Sequence, residues 1–567
     1  MADARSDLHA LAERFWQFQR FEFPLTALLA GQPNDDPTMF REAPADFDRR
    51  ARQAAAMLGE LAGICSDGLA LPDRATHRLL QRELDDLCEA HATLSHMKPW
   101  LLPIGPEFNT IYFANVSHLG HAEAAERYVD RLATLPAYFE GVQACLREGL
   151  ARGVRCPRVV LMAALPNLRS ALSGAADATP WYGAFKRSPA QAQPGVVRHA
   201  ERARGVIEQT IVPALRALHD TFENEMLPRA RDTIACLDDP QGHEFYGFWL
   251  RHFTTTAAAT PEAIHTLGLS EVARLEAEIA AVAAEAGFAN DIVGYRRFLA
   301  SEAQFIAPSA EVLRERCEIV SKRIDAKIPG FFGRLPRITY GVQSIPLAVS
   351  ERMPPAYAQP NPADGSAAGI YWVSSLPEKA PSYLHVPLAL HEGWPGHLMH
   401  IALMQEMTDL PMFRRANFTK YSACLEGWAL YCETLGIEMG LYETPHQHYG
   451  RLDMEMWRAC RLVVDTGIHV KGWSREQAID YMQARLSLSR TTIEGEVDRY
   501  IAMPAQALGY QVGNLKFREL RARAQARLGD RFDVRAYHDQ LMAAGPVTLP
   551  VLEDLVDDWI ARRSVQH

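Results

Sequence analysis

The sequence has no long apolar run and no excess of basic residues. No stretch stays apolar over the roughly 20 residues that a helix needs to cross a bilayer. The net charge is −10, whereas a surface that binds nucleic acid needs positive charge to displace counterions from phosphates. Negative charge also disfavours binding to anionic membranes. These absences predict a protein whose partners include neither nucleic acid nor a membrane.

The sequence also lacks a cysteine framework. Its 9 cysteines are scattered, odd in number, and contain no CxxC pair. This pattern is not that of a cysteine zinc site or a disulfide scaffold, and it indicates reduced, mostly buried thiols. The first residues, MADARSDLHALAERFWQFQRF, mix acids and bases and have no apolar core of the signal-peptide type. We therefore expect a cytoplasmic protein.

Helical periodicity is present in most of the chain, whose 48% hydrophobic and 23% charged residues are typical of a globular protein. In LSEVARLEAEIAAVAAEAG, apolar residues recur at steps of three and four, with Ser270 as the expected N-cap and Gly287 as the expected end. In PSAEVLRERCEIVSKRIDAKIPG, Ser309 is the expected N-cap and Pro329 the expected end. Because no fixed-period repeat is present, a solenoid is not expected.

The pattern changes between about residues 331 and 388. Six prolines from Pro336 to Pro362 interrupt helices, and RITYGV and AAGIYWVSS are typical of short strands. After Leu388 the long helical patterns return. We therefore predict a mostly α protein with an N-terminal helical lobe at residues 1–330, a strand-bearing insert on the substrate side at 331–388 and a C-terminal helical catalytic lobe at 389–567.

The stretch ALHEGWPGHLMH, residues 389 to 400, begins like a zinc-peptidase helix. In the HExxH motif, two histidines four residues apart share one helical face, and the glutamate between them acts as general base. His391 and Glu392 fit this motif, but Pro395 stands where the second histidine belongs, and the next histidine is His397. In a regular helix His391 and His397 would point about 120° apart. Pro395 and Gly396 favour a sharp bend, after which His397 can turn back towards His391.

His400 falls on the wrong side of such a bend and is expected to be structural. The next helical segment, ACLEGWALYCETLG, offers a third ligand in Glu426, which shares one stripe of the helix with Leu430 and Glu433. The surrounding residues are apolar, so a buried carboxylate here needs a partner. That partner is a metal ion or, as the alternative, an arginine in a buried ion pair.

Four motifs in a fixed order resemble the bacterial family catalogued as domain of unknown function 885. They are HEGWPGH, LEGWALYCE, RLVVDTGIHVKGWSREQAIDYM and DRYIAMPAQALGYQVG, and the resemblance covers most of the chain. That family is similar to the gluzincin-type zinc metallopeptidases. The resemblance implies a two-lobed helical metallopeptidase-like fold with a small β insert next to the metal helix and a deep central cleft. It also implies one Zn²⁺ held by His391, His397 and Glu426, with Glu392 as general base. Many family members carry a further histidine where this chain has Leu398, so the metal does not depend on that position here.

A zinc hydrolase also needs donors for an oxyanion. In VVDTGIH, Asp465 and His469 are four residues apart, so the carboxylate could orient the imidazole; a surface ion pair is the alternative. In RYIAMPAQALGYQVG, Gln506 and Tyr510 share a helical face. Tyr510 is our first candidate for the phenolic donor and Tyr500 the second, although a tyrosine in an apolar helix is often simply core.

Substrate contacts are expected from two regions. Arg499 and Lys516 could receive a substrate carboxylate, with solvated basic residues as the alternative. In gluzincins an edge strand beside the zinc binds the substrate backbone by strand addition. The resemblance assigns that role to residues 368–374, which include Gly369 and Tyr371, and we add Gln506 as a substrate contact. The alternative is a strand that binds no ligand.

The sequence thus predicts a zinc-dependent hydrolase, a metallopeptidase that cleaves short peptides or amino-acid amides. One alternative is a zinc amidohydrolase acting on a small non-peptide metabolite. Another is a metal-binding protein without turnover, although such a protein would have no need for Glu392 as a base. A helical scaffold without metal is the last. Two histidines and a glutamate also accept Mn²⁺, Co²⁺ or Fe²⁺.

Overall fold

The computed structural model describes residues 2–351, 353–416 and 420–565. The protein is mostly helical, with 70% helix and 3% strand, so the expected helical class is confirmed. The first thirteen helices are α1 (Ala2–Glu22), α2 (Pro24–Leu29), α3 (Pro44–Ala62), α4 (Leu71–Ala92), α5 (Pro106–Val116), α6 (Ala122–Leu132), α7 (Leu135–Ala151), α8 (Arg158–Ala171), α9 (Pro180–Arg187), α10 (Pro194–Val206), α11 (Val212–Asp220), α12 (Gly242–Thr254) and α13 (Pro261–Glu285). The remaining helices are α14 (Ile292–Ser301), α15 (Ala310–Asp325), α16 (Leu347–Ser350), α17 (His385–Glu392), α18 (His397–Gln405), α19 (Met412–Ala416), α20 (Ser422–Glu438), α21 (Pro445–Val470), α22 (Arg475–Gln483), α23 (Arg490–Ala502), α24 (Gly509–Leu528), α25 (Val534–Ala543) and α26 (Leu549–Val565).

Two predicted helices show how capping sets the ends. The hydroxyl of Ser309 accepts a hydrogen bond from the backbone N–H of Val312, and α15 begins at the next residue, as predicted. The predicted start of α13 was wrong. That helix begins at Pro261, where Thr260 supplies the cap, and Ser270 lies inside it. A Thr-Pro pair is a strong start signal, since Pro suits the first helical position.

Three strands form a small sheet in the order β1 (Tyr340–Ser344), β3 (Gly369–Val373) and β2 (Ala356–Gln359). β1 runs parallel to β3, with Tyr340 opposite Gly369, and β2 runs antiparallel to it, with Ala356 opposite Val373. The two predicted strands are present. β2 was not predicted because prolines flank it at both ends, a pattern that edge strands tolerate.

The chain folds into two compact units, each assembled from segments that are distant in sequence. The first unit comprises Met1–Phe248, Ile468–Arg475 and Gly495–Pro504. The second unit comprises Trp249–Gly467, Glu476–Glu494 and Ala505–His567, and it contains the sheet and all the expected metal ligands. This division follows spatial compactness, whereas the three segments 1–330, 331–388 and 389–567 were predicted from sequence patterns. The two divisions rest on different criteria, and the three segments therefore remain a prediction.

The core of the second unit includes a close approach of α20 to α24. A Cβ atom on Gly427 would lie 2.4 Å from the Cα atom of Gly513, so both helices need glycine at their crossing. Trp428, beside this crossing, is fully buried and packs against Phe517 of α24. This packing fixes α20, which carries Glu426.

None of the described helices combines the length and the apolar composition that a membrane span requires.

Candidate metal centre

The predicted bent helix is two helices with a tight turn between them. α17 ends at Glu392 and α18 begins at His397, so the chain leaves helical geometry at Gly393–Gly396. Pro395 supplies no N–H for a continuous helix. The indole N–H of Trp428 donates a hydrogen bond of 2.9 Å to the carbonyl of Pro395, which ties the turn to α20.

The turn brings the start of α18 back against the end of α17. A Cβ atom on Gly396 would lie 2.0 Å from the carbonyl oxygen of His391 and 2.4 Å from that of Leu390. No side chain fits at this point, which explains why a glycine precedes His397. The rings of His391 and His397 are consequently 4.8 Å apart, at 89° to each other.

Three potential ligand atoms converge in the second unit. The three atoms, one from each of His391, His397 and Glu426, all lie within 4.8 Å of one another. The Oε2 atom of Glu426 is 3.6 Å from Nε2 of His391 and 3.2 Å from Nε2 of His397. The helices α17, α18 and α20 thus each contribute one of the ligands expected from the sequence.

This arrangement passes a simple test for zinc. Donor atoms bound at about 2.0–2.1 Å in a tetrahedron lie about 3.3 Å apart, and the two histidine–carboxylate separations fall on either side of that value. Two imidazoles and a carboxylate are also a ligand set that catalytic zinc sites use. The residues present therefore fit one zinc ion with a further position left over.

A second carboxylate holds the first histidine. Nδ1 of His391 lies 2.8 Å from Oε1 of Glu433, and both side chains are almost completely buried. With its proton on Nδ1, His391 donates to Glu433 and keeps the Nε2 lone pair directed towards Glu426. Carboxylates in this position orient metal-binding histidines in many proteins.

The charges of this cluster act strongly on one another. Burial alone lowers the pKa of His391, but the carboxylates of Glu426 and Glu433 outweigh it and raise the pKa to about 9. Burial would raise the pKa of Glu426, but His397 and His391 hold that pKa well below its usual range. A cation shared by these side chains would take the place of the histidine protons.

Glu392 is the last residue of α17 and is partly exposed. Its charge acts on the imidazole of His391 and on the phenol of Tyr371. Glu392 therefore lies beside the ligand cluster without being one of its three members. This is a suitable position for a group that handles a proton next to a metal.

His400 is buried, and neither of its ring nitrogens has a hydrogen-bond partner among the described residues. Burial and the neighbouring His397 lower its pKa to about 3. Its ring lies against Trp428, with 6.1 Å between the ring centres. His400 is not a member of the ligand cluster.

Tyr510 lies beside basic side chains of α21. It is the second residue of α24, and the guanidinium of Arg461 lies 4.5 Å from the centre of its ring. A second buried arginine, Arg458, interacts with the charges of both Tyr510 and Glu426. Tyr510 and Glu426 therefore share Arg458 as a charged neighbour, and the role of Tyr510 as phenolic donor stays a prediction.

Tyr500 and His469 belong to the first unit, where a hydrogen bond joins them. His469 is 1% exposed; its Nδ1 accepts a hydrogen bond from the backbone N–H of Cys236, and its Nε2 donates to the carbonyl of Tyr500. The carboxylate of Asp465 accepts from the backbone N–H of Ala505 instead. The expectation that Asp465 orients a catalytic His469 is therefore corrected: main-chain groups hold this imidazole at both nitrogens.

The expected substrate strand is also corrected. β3 is the central strand of the sheet, with β1 and β2 hydrogen-bonded on its two sides, so it has no open edge for strand addition. Tyr371 is 0% exposed, and its hydroxyl points to the sulfur of Cys317. Gly369 is buried against Leu398 of α18. Both residues therefore have packing roles, which agrees with the alternative of a strand that binds no ligand.

The remaining candidates lie in several environments. Arg499 is in the first unit, where Glu496 forms an ion pair with it at 2.8 Å. Lys516 pairs with Glu519 at 2.7 Å and with Glu553 at 3.4 Å. Both side chains therefore already have carboxylate partners. Gln506 begins a short 3-10 turn ahead of α24 and is partly exposed.

Sequence reasoning did not assign two residues near the ligands. Glu433 is seven residues after Glu426 on α20, so its place on the same helical stripe was a usable signal. Arg458 is a buried basic residue in α21. The only feature of the sequence that could have indicated it is the position of this charged residue within a buried helical segment.

The chain belongs to the family described as bacterial protein of unknown function (DUF885), whose model matches residues 24–556. Among solved structures, it is similar to "the putative lipoprotein from Colwellia psychrerythraea", with 27% identity, a TM-score of 0.91 and 99% of each chain covered. A second similar structure is "a putative lipoprotein of unknown function from Shewanella oneidensis". It has 17% identity and a TM-score of 0.72, covers 97% of this chain and 98% of its own, and shares the fold. No curated protein matches this chain.

Proposed function

We propose that this protein is a zinc-dependent hydrolase, a metallopeptidase that cleaves short peptides or amino-acid amides. The observation that carries the proposal is the convergence of His391, His397 and Glu426, at separations that suit tetrahedral zinc. Glu392 beside this cluster supports hydrolysis over metal storage, because a storage site needs no additional base.

The chemistry follows from the positions of the side chains. A zinc ion held by His391, His397 and Glu426 would supply a Lewis acid that polarises a carbonyl and lowers the pKa of water. Glu392 accepts a proton from the attacking water as the C–O bond forms, and then delivers it to the amide nitrogen as the C–N bond breaks. Glu433 keeps His391 in the tautomer whose Nε2 can bind metal.

Tyr510 is our proposed donor to the oxyanion. A phenolic O–H can stabilise the charge that develops on the carbonyl oxygen. Its grouping with Arg458 and Arg461 supports this role, since neighbouring cations favour a developing negative charge. His469 has no part in the proposal.

The same proposal covers finer points of fold and location. We propose a gluzincin-like fold with the deep cleft that the family resemblance implies. We also propose a cytoplasmic location. Among the described residues, which include every cysteine, no disulfide bond is formed, and this supports a reducing compartment. The partner is a small peptide or amide, with neither nucleic acid nor membrane involved.

One experiment tests metal and activity together. Purified protein is measured for zinc, manganese, cobalt and iron, and the same sample is incubated with peptides whose termini are free or blocked. We expect about one zinc per chain and hydrolysis that a chelator abolishes and added zinc restores. A metal-bound protein that cleaves no peptide but cleaves other small amides would favour an amidohydrolase. A protein without metal would overturn the proposal.

A further inference from the structure

Arg458 is a buried cation without a counter-ion in contact among the residues that the structure describes. It lies on α21 in the second unit and is 5% exposed. Its Nη1 donates to the carbonyl oxygen and the sulfur of Met454, one turn earlier on the same helix. Its Nε has no hydrogen-bond partner among the described residues and is shielded from solvent. Nor does any described carboxylate lie within ion-pairing distance of the guanidinium.

Arg451, another buried arginine on the same helix, differs in this respect. Arg451 is 6% exposed, and Glu455 forms an ion pair with it at 2.8 Å. A buried charge is costly unless it is paired, which is why buried arginines normally have carboxylate partners. Arg458 therefore differs from Arg451 in having no carboxylate within ion-pairing distance among the described residues, although each of the two has a buried Nε–H without a hydrogen-bond partner there.

Arg458 interacts electrostatically with residues of the candidate metal centre. Its pKa is lowered by burial and by Arg461, while Glu433, Tyr510 and Glu426 act in the opposite direction. The indole of Trp457 lies 4.8 Å from the guanidinium of Arg458 and 4.6 Å from that of Arg461. Two cations, an indole and a phenol thus form a basic–aromatic cluster within electrostatic range of a proposed zinc ligand.

We propose that Arg458 binds a free carboxylate of the substrate, so that the enzyme acts on molecules ending in a carboxylate close to the scissile amide. The corresponding substrates are short peptides cleaved at their C-terminal residue. This inference rests on the proposed function and names the substrate class of that same site.

The chemistry of the side chain selects a carboxylate over a neutral group. A guanidinium presents a planar fork of N–H donors that matches the two oxygens of a carboxylate. The unused Nε–H of Arg458 needs an acceptor, and an anionic ligand would also neutralise the buried charge. A blocked C-terminus offers one carbonyl oxygen and no charge, so it would leave this cation uncompensated.

The test compares matched ligands on matched variants. Tripeptides of alanine, leucine and phenylalanine are prepared both as free acids and as C-terminal amides. Binding is measured by calorimetry on the zinc-loaded Glu392→Gln protein, and hydrolysis on the protein with Glu392 intact. Each measurement is repeated with Arg458→Gln, with Arg458→Lys and with Arg451→Gln, the last as a control for loss of a buried arginine on the same helix.

We expect free acids to bind and react about 10²-fold better than amides, on the scale of one buried charged hydrogen-bond pair. Arg458→Gln should remove most of that preference, and Arg458→Lys should restore part of it. Arg451→Gln should lower stability while the ratio of acid to amide stays unchanged. Circular dichroism and zinc content show whether each variant is folded and loaded.

Equal use of acids and amides by the unaltered protein would overturn the inference. So would an Arg458→Gln variant that loses zinc or stability but keeps the preference, since Arg458 would then be a structural counter-charge. The proposed function fails separately, when zinc is absent or no amide bond is cleaved. The preference in binding tests Arg458 even where turnover is missing.

Discussion

His391 has a carboxylate at each of its two ring nitrogens. Glu433 lies 2.8 Å from Nδ1, and Glu426 lies 3.6 Å from Nε2. These two contacts differ in kind. The first has the length of a hydrogen bond, and the second is close to the distance between two donor atoms that bind the same metal ion. A proposed ligand, the carboxylate proposed to orient it and a second proposed ligand thus lie around a single imidazole.

The first prediction separates ligands from neighbours. His391→Ala, His397→Ala and Glu426→Ala should each lose most of the bound zinc, because each removes one of three donors. His400→Leu should keep its zinc, and its stability should change little, since the ring nitrogens of His400 have no partner to lose among the described residues. Elemental analysis after dialysis measures the metal. Loss of zinc in His400→Leu together with its retention in His397→Ala would refute the ligand assignment.

The second prediction concerns Glu433. Glu433→Gln keeps the shape and can still accept a hydrogen bond from His391, but it loses the negative charge. Zinc affinity should fall about 10- to 100-fold, the usual scale for a residue that orients a metal ligand. Competition with a fluorescent zinc chelator measures the change. Glu438→Gln, on the exposed side of α20, is the control and should match the unaltered protein.

At the scale of elements, the site depends on the turn between α17 and α18. The motif predicted that a proline and a glycine interrupt the helix, and the structure has a complete break there. A spacing of six residues between the histidines is incompatible with one straight helix but compatible with two helices. The turn therefore determines whether the two imidazoles can meet.

The third prediction tests this turn without changing any ligand. Gly396→Ala should displace α18, because the added methyl group would overlap the carbonyl oxygen of His391. Zinc affinity and the melting temperature should both fall. Gly59→Ala is the control: Gly59 lies in α3 with open space around it, so alanine should be neutral or stabilise by up to about 1 kcal/mol. Unchanged zinc affinity in Gly396→Ala would show that the turn has room to adjust.

The elements differ in how far the sequence could predict them. The cap at Ser309 and the strands around Tyr340 and Gly369 were predictable, because local hydrogen bonds and alternation determine them. The central position of β3 was not, since β2 lies between prolines and its pairing is not local. The hydrogen bond from His391 to Glu433 depends on how α17 packs on α20, and no local pattern encodes that packing.

At the scale of the whole molecule, stability depends on buried charges outside the metal centre as well. In the first unit, burial raises the pKa of Glu107 to about 7. A carboxyl group with a raised folded-state pKa favours the folded state at low pH. That contribution is complete below the unfolded pKa and is lost as the pH rises through 7.

The fourth prediction follows from that sign. Glu107→Gln removes the charge but keeps the volume, so it should not change the free energy of unfolding below about pH 4.5. Above pH 7 the variant should be more stable by about 3 kcal/mol, the free energy of a shift of this size. Urea unfolding at pH 4.5, 6 and 8 measures the difference. A difference that is the same at all three values would show that titration of Glu107 is not its cause.

The central claim, that this molecule hydrolyses amides with a metal and a glutamate base, is tested most directly on Glu392→Gln. Zinc content and turnover are measured on the same preparation, beside the unaltered protein. We expect full zinc occupancy and a turnover lower by about two to four orders of magnitude, because glutamine keeps the shape of glutamate but accepts no proton. Turnover equal to that of the unaltered protein, with zinc bound, would contradict the claim.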